Sequence, residues 1–154
     1  MELSGTTWIV AADGTHARVF EERCRAGDVR ELPERAVQAL ESEHSQAHRH
    51  LATVHDRPGS GQHAAGERSL SDEAARRFMK RLAEQLHVAA RDGDFDNLVL
   101  MAPPHALGLL RSALCPALHQ RVTATDPHDR LRCDAKEVRE RLRKVRASGR
   151  PDER

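Results

Sequence analysis

The spacing of apolar residues changes from a continuous run to a helical period at Pro103-Pro104. This change is the reference point for interpreting the rest of the sequence. Residues Leu98–Ala102 are all apolar, which is typical of a strand covered on both faces in an α/β sheet. Pro103 and Pro104 end this strand because proline has no N–H to donate to a neighbouring strand. From Ala106 onward the apolar residues recur with helical spacing. The pattern predicts a strand, a tight turn and a helix start, where open α/β sheets often carry their sites.

An antiparallel meander is predicted at the start of the chain. Two stretches of strand-forming residues flank Asp13-Gly14, a dipeptide typical of hairpin turns. A two-residue turn predicts three facing pairs: Ala12–Thr15, Val10–Ala17 and Trp8–Val19. It also places four side chains together on the predicted core face: Trp8, Val10, Ala17 and Val19. A third short strand, Val29–Leu32, is stopped by Pro33.

Helical and strand signals alternate in the second half of the chain. A capping-box spacing at Ser69 predicts the start of a helix, and Gly93 is suitably placed as its C-terminal cap. The helix after the proline pair should be broken near Pro116. The remaining predicted elements are a strand at 121–125 parallel to 97–102, and a last helix capped by Asp134 with Val138, Leu142 and Val145 on one face.

Three antiparallel strands followed by α-β-α-β-α are the element order of a ribonuclease-H-like mixed sheet, and we predict an α/β three-layer sandwich. The chain has 154 residues, enough for one domain with a sizeable core. We assign residues 1–146 to this single domain and expect 147–154 to be a frayed tail. Apolar residues are sparse at about 41–68, where we expect a long mobile loop, with no more than helical turns at 34–43 before it.

Composition narrows the function classes only slightly. The formal net charge of +1 gives no global sign of a nucleic-acid partner. The three cysteines form no CxxC pair, which favours free thiols in a reducing cytoplasm over a disulfide framework. Residues 1–20 lack an export signal, and no apolar run is long enough for a membrane span. We therefore expect a cytoplasmic protein without a membrane partner.

Catalytic and metal-binding interpretations find little support in the residue pattern. The polar segment is rich in histidines, namely His44, His48, His50, His55 and His63. Their spacing fits no single helix or strand face, so a solvated loop without metal is favoured. The strand Leu98–Ala102 carries no carboxylate, which disfavours a two-metal nuclease. Cys115 has no histidine placed against it and is interpreted as a small buried hydrophobe. No cofactor motif is present, and we expect no cofactor.

The helix start after the proline pair is a candidate anion site. His105 and Arg111 flank the region where free helix N–H groups attract anions, and Gly108 permits close approach there. The favoured alternative is that Gly108 lets this helix pack tightly on the sheet.

The segment 57–68 is a second candidate site. Arg57 and Arg68 stand at its ends and are suited to phosphate contacts, and its glycines make it flexible. Gln62 lies at the predicted tip of this loop, where its amide or its backbone N–H would enter the site of a partner. Spacing alone favours the alternative, a Gly/Ser linker without a role.

Three stretches of the sequence carry a family resemblance: Trp8-Ile9-Val10-x-Ala12-Asp13-Gly14-x-x-Ala17-Arg18-Val19-Phe20, Asp56-Arg57-Pro58-Gly59 with Gly61-x-His63-Ala64, and Leu98-Val99-Leu100-x-Ala102-Pro103-Pro104-x-x-Leu107-Gly108-x-Leu110-Arg111. Through them the chain resembles the bacterial host attachment protein family, over nearly its whole length. The name of that family refers to attachment to host cells.

This family is similar in turn to the middle domain of the archaeo-eukaryotic peptide-chain release factors, and that similarity also implies the ribonuclease-H-like sheet. The middle domain carries a Gly-Gly-Gln loop that leads to a helix containing Arg-Phe. Here Ser60-Gly61-Gln62 occupies the comparable loop, with Ser60 in place of the first glycine, and Arg77-Phe78 lies in the following helix. The resemblance implies that Gln62, presented at the loop tip, is the candidate catalytic residue, with any hydrolysis completed by the ribosome.

One functional hypothesis and two alternatives follow. The first is a cytoplasmic accessory protein of the ribosome or tRNA, acting in rescue, quality control or dormancy without catalytic activity of its own. Its expected RNA or anion contacts, beside Gln62, are Arg57, Ser60, Gly61, His63, Arg68, His105 and Arg111. The alternatives are a non-catalytic protein-interaction module with an indirect role in surface attachment or stress, and a metal-dependent hydrolase that uses the His-rich loop. The sequence leaves the oligomeric state open.

Overall fold

A mixed six-stranded sheet with helices on both faces organises the chain. The computed structural model describes residues 5–40 and 60–148, with side chains described for 5–40 and 71–148. In chain order the elements are β1 (Thr7–Ala12), β2 (His16–Glu22), β3 (Val29–Glu31), β4 (Val37–Gln38), α1 (Ser60–Arg91), β5 (Asn97–Met101), α2 (Pro104–Ala113), α3 (Pro116–His119), β6 (Val122–Asp126) and α4 (Ala135–Ala147). The strand order is β3-β2-β1-β5-β6, with β4 paired to β2. Strands β1, β5 and β6 are mutually parallel, whereas β2 is antiparallel to its neighbours. This arrangement confirms the predicted α/β sandwich.

Both faces of the sheet are buried because the central strands β1 and β5 are apolar at every position after their first residues, Thr7 and Asn97. On one face Trp8 and Leu100 pack with apolar side chains of α1, α2 and α3. On the other face Ile9 and Val99 pack with Val138 of α4 and its neighbours. The predicted core face is confirmed, and the opposite face of the hairpin is a core face as well. All six residues of β1 are consequently buried.

The hairpin turn corrects the predicted register. The observed pairs are Ala12–Ala17, Val10–Val19 and Trp8–Glu21. Asp13 Oδ1 accepts hydrogen bonds from the backbone N–H groups of Thr15 (2.7 Å) and His16 (2.8 Å). The Asp13 N–H in turn donates to the His16 carbonyl (3.0 Å). These bonds draw Thr15 and His16 into the turn, which shifts the pairing by two positions and leaves each side chain on its predicted face.

Helix α1 begins well before the predicted N-cap at Ser69. The backbone is helical from Ser60, so the prediction of a loop was wrong for Ser60, Gly61, Gln62, His63 and Arg68. The stretch after Pro58 contains good helix formers, and each glycine lowers helix stability by only about 1 kcal/mol. The helix packs on the sheet through one apolar stripe, in which Phe78, Met79, Leu82, Leu86 and Ala89 are buried.

The other predicted boundaries lie close to the observed ones. Gly93 has a φ of +78° and follows the end of α1, as predicted for its cap. Pro104 is the first residue of α2. The helix ends at Ala113, and α3 begins at Pro116, close to the predicted interruption. Asp134 caps α4 through the Glu137 N–H (2.8 Å). A short 3-10 turn at Pro33–Arg35 leads into β4, a strand that was not predicted. The predicted loop at 41–59 and the tail after 148 lie outside the described residues.

Arg18 ties three parts of the fold together from a partly buried position. Its guanidinium pairs with both carboxylate oxygens of Glu31 on β3 (2.7 and 2.9 Å). The same group donates to the carbonyls of Leu131 and Cys133 in the connection between β6 and α4. Arg18 also lies over the Phe20 ring at 5.0 Å. The ion pair with Arg18 lowers the pKa of Glu31 below its usual value.

A buried ion pair anchors α4 to the sheet. The carboxylate of Glu22, with 2% of its side chain exposed, binds the guanidinium of Arg146 through two hydrogen bonds of 2.7 and 2.8 Å. It also accepts the N–H of Ala26 (3.2 Å), a residue held at a φ of +62° in the β2–β3 turn. Loss of Arg146 would leave the buried carboxylate of Glu22 without its ion-pair partner.

We expect Arg146→Ala to lower the free energy of unfolding by about 3 kcal/mol, because removal of one partner strands a buried charge. Arg143→Ala, one turn earlier on the same helix, removes only the solvent-exposed pair with Glu140 and should change stability little. Urea unfolding followed by circular dichroism measures both variants. Equal losses in the two variants would show that the burial of Glu22 does not matter.

The free energy of unfolding should also decrease at acidic pH, because protonation of Glu31 removes its ion pair with Arg18. Because its pKa is lowered in the folded state, its contribution is present above the pKa of the unfolded chain and is lost as pH falls through the folded value. Glu31→Gln lacks this contribution at every pH. The difference in unfolding free energy between wild type and Glu31→Gln should therefore shrink from neutral pH to about pH 3. A difference independent of pH would contradict the role of the ion pair.

Candidate functional site

A groove runs between α1 and α2 on the outer side of one helical layer. Its volume is about 660 Å³, and its walls are formed by Arg76, Lys80, Pro104, His105, Gly108, Leu109, Ser112 and Ala113. The two helices run in the same direction, since early residues of both meet at one end and late residues meet at the other. We call this feature the interhelical groove.

One end of the interhelical groove is closed by His105. Its Nε2 lies 2.9 Å from Asp72 Oδ1 on α1. The proline pair explains the position, because Pro104 has the backbone angle of a first helical residue and delivers His105 into the first turn of α2. His105, a predicted anion contact, therefore lies in the groove.

The middle of the interhelical groove is open at Gly108. A Cβ atom built there would meet nothing within 4 Å, and the residue is exposed. The alternative that Gly108 lets α2 pack tightly is therefore wrong. Helix α2 is held on the sheet instead by the buried side chains of Ala106, Leu107 and Leu110.

The charge of the groove walls is entirely basic. Arg76 and Lys80 are exposed and lie one turn apart on α1. Within the described residues neither has a hydrogen bond or ion pair, whereas the adjacent Arg77 pairs with Glu73 at 2.7 Å and Arg81 donates to the Gln38 carbonyl. The sequence analysis missed Arg76 and Lys80. Their i, i+4 spacing was visible, but the pattern did not show that α2 lies beside them.

A thiol and an imidazole lie beyond the wall residues of the interhelical groove, the thiol two residues after Ala113 in the chain. Cys115 Sγ lies 3.4 Å from His87 Nδ1, and the thiol is only partly buried. Cys115 packs against the core as a partly buried hydrophobe, but the expectation that no histidine lies against it was wrong. The contact joins residues far apart in sequence, so it follows from the parallel packing of α1 against α2 and α3.

Arg111 does not share the groove with His105. It lies about 9 Å further along α2 and about 120° around it, partly buried and outside the groove walls. The predicted site of His105 with Arg111 is therefore not assembled. Arg57 lies outside the described residues, as do the side chains of Ser60, Gln62, His63 and Arg68.

A second groove, of about 710 Å³, lies between α4 and the β2–β3 turn, and we call it the α4 groove. Its walls carry both charge signs: Glu22, Arg25, Ala26, Lys136, Glu137, Arg139, Glu140, Leu142, Arg143 and Arg146. Several of these charges neutralise one another, as in the pairs Glu22–Arg146 and Glu140–Arg143. Mixed charge suits a polypeptide partner better than a polyanion.

The described part of the chain contains neither a cluster of metal ligands nor a helix suited to cross a membrane. No three His, Cys, Asp or Glu side chains converge there as metal ligands. The histidines of the metal hypothesis lie outside it, apart from the helical backbone of His63. None of the helices in that part is long and apolar enough to cross a membrane.

Comparison with known proteins identifies a family that matches most of the chain. A family model described as "Protein required for attachment to host cells" matches residues 8–142. The match covers most of the chain, from β1 through both walls of the interhelical groove and into α4. No curated protein matches the chain. The chain belongs to the host attachment protein family, as the sequence motifs indicated.

Proposed function

We propose that the protein is an RNA-binding accessory protein of the cytoplasm, associated with tRNA or the ribosome, and that the interhelical groove contacts RNA phosphates. The observation that carries the proposal is the unpaired basic wall formed by Arg76 and Lys80. Several arginines elsewhere on the described surface are bound to carboxylates or carbonyls, as Arg35, Arg77 and Arg139 are. Unpaired cations on one wall are suited to the regularly spaced charges of a nucleic-acid backbone.

Helix α1 supports an extended contact. Its 32 residues correspond to about 48 Å at 1.5 Å per residue. Gln62 therefore belongs to the same continuous helix as Arg76, about 21 Å away along the axis. We include Gln62 as the residue presented to a ribosomal site, and Arg57, Ser60, Gly61, His63 and Arg68 as further contacts. Rescue, quality control and dormancy are the processes in which such a protein would act.

Protein interaction is the second candidate function, and the α4 groove favours it. Its walls alternate in charge around the apolar side chain of Leu142, which is typical of a surface for a polypeptide. The family description also names attachment to host cells. Under this function, substitutions in the interhelical groove would leave binding of the protein partner unchanged.

Arg76→Ala/Lys80→Ala should weaken binding to purified total tRNA about ten-fold at low salt and flatten the salt dependence, because two phosphate contacts are lost. Fluorescence anisotropy over a range of salt concentrations measures both effects. Lys136→Ala/Lys144→Ala removes the same charge from the opposite side of the sheet and serves as the matched control. Equal weakening by both double variants would show that binding depends only on total charge, and it would contradict a specific role for the interhelical groove.

Ribosome association is tested separately in cells. Tagged wild-type protein should sediment with ribosomal particles in low-salt sucrose gradients from growing or starved cells, and the Arg76/Lys80 variant should remain nearer the top. The Lys136/Lys144 variant should behave like the wild type. Wild-type protein that stays at the top in both states would reject the ribosomal role and favour the protein-interaction function.

A further inference from the structure

The thiol–imidazole pair formed by Cys115 and His87 lies just beyond the wall residue Ala113 of the interhelical groove and has no part in the RNA-binding proposal. Cys115 Sγ and His87 Nδ1 are at hydrogen-bonding distance, 3.4 Å. A nucleophile beside a proton acceptor is the arrangement that generates a reactive thiolate. His87 is exposed and Cys115 partly so, which means that a small molecule can reach both.

The groove walls add a means of recognition. Arg76, Lys80 and His87 project from α1 within about 40° of one another, and Lys80 precedes His87 by about 10 Å along the axis. A small molecule whose reacting atom sits at Cys115 can therefore extend toward Lys80. A ligand carrying carboxylates would gain a charge-assisted contact there.

We propose that Cys115 is a site of thiol–disulfide exchange with a low-molecular-weight disulfide that carries carboxylate groups. His87 accepts the thiol proton, and Lys80 with Arg76 binds the carboxylates. The product is a reversible mixed disulfide just beyond the groove.

The exchange balances without a further reactant. His87 Nδ1 takes the proton of Cys115, and the resulting thiolate attacks one sulfur of the disulfide. A new S–S bond forms to Cys115 while the original S–S bond breaks. The leaving thiolate carries the electron pair away and receives the proton from His87. A second small thiol reverses the reaction and restores the free cysteine.

The two other cysteines provide internal comparisons. Cys24 is exposed in the β2–β3 turn, and within the described residues no histidine contacts it. Cys133 is partly buried, and burial together with the nearby Glu137 carboxylate raises the pKa of its thiol. Exposure alone would therefore make Cys24 the most reactive thiol. We expect Cys115 to react faster because His87 lies beside it.

The experiment compares two disulfide probes on the full chain: 5,5′-dithiobis(2-nitrobenzoate), which carries two carboxylates, and the neutral 2,2′-dithiodipyridine. Peptide mass spectrometry gives the rate at each cysteine. With the charged probe at neutral pH, Cys115 should react about ten-fold faster than Cys24. Reaction at Cys115 no faster than at Cys24 would overturn the proposal.

Variants separate the two parts of the proposal. His87→Asn keeps a hydrogen-bonding side chain without the base, and it should slow Cys115 about ten-fold with both probes while Cys24 is unchanged. Lys80→Gln should slow only the charged probe, about three-fold, whereas Lys136→Gln should slow neither. An unchanged rate at Cys115 in His87→Asn would show that His87 does not act as the base. Equal effects of Lys80→Gln on both probes would show that Lys80 does not recognise the carboxylates. These rates are measured without RNA, so failure of tRNA binding leaves them interpretable.

Discussion

The burial of β1 on both faces is the constraint on which the rest of the fold depends. None of its six residues reaches solvent, so its backbone groups must bond to β2 and β5, and its side chains need a helical layer on each face. Helices α1, α2 and α3 cover one face and α4 covers the other. The interhelical groove follows from this arrangement, because two parallel helices on one face leave a channel along their outer junction.

The polar groups near the core serve mainly to fix the layers. Arg18 joins β2, β3 and the connection that leads into α4, while Glu22 and Arg146 hold the end of α4 against the β2–β3 turn. Glu21, which burial alone would make a weaker acid, receives hydrogen bonds from Arg23, Arg30 and Trp8 that lower its pKa overall. These charges are already engaged. Arg76 and Lys80 of the interhelical groove have no such partner within the described residues, so both are available to a ligand.

Local signals predicted most of the fold, whereas the candidate site depends on contacts between distant residues. The apolar run at 98–102, the proline pair and the Asp134 cap act within a few residues, so the sequence displays them directly. The start of α1 was missed because a glycine-containing stretch suggested a loop although its other residues favour a helix. The contacts of His105 with Asp72 and of Cys115 with His87 arise from packing of α1 beside α2. A sequence pattern does not show which residues of two different helices lie close together.

The hairpin turn from Asp13 to His16 shows what kind of change in chain length this protein can accept. The observed and predicted registers differ by two positions, and every side chain of β2 keeps its layer in both. Insertion or removal of two turn residues would therefore leave Val19 facing α1 and Phe20 facing α4. A slip of the β1–β2 pairing by one position would exchange them and would turn Arg18 into the layer of α1, away from Glu31 and the start of α4. A single residue inserted here must therefore be accommodated within the turn, as a longer loop or a bulge, and not in the strand pairing.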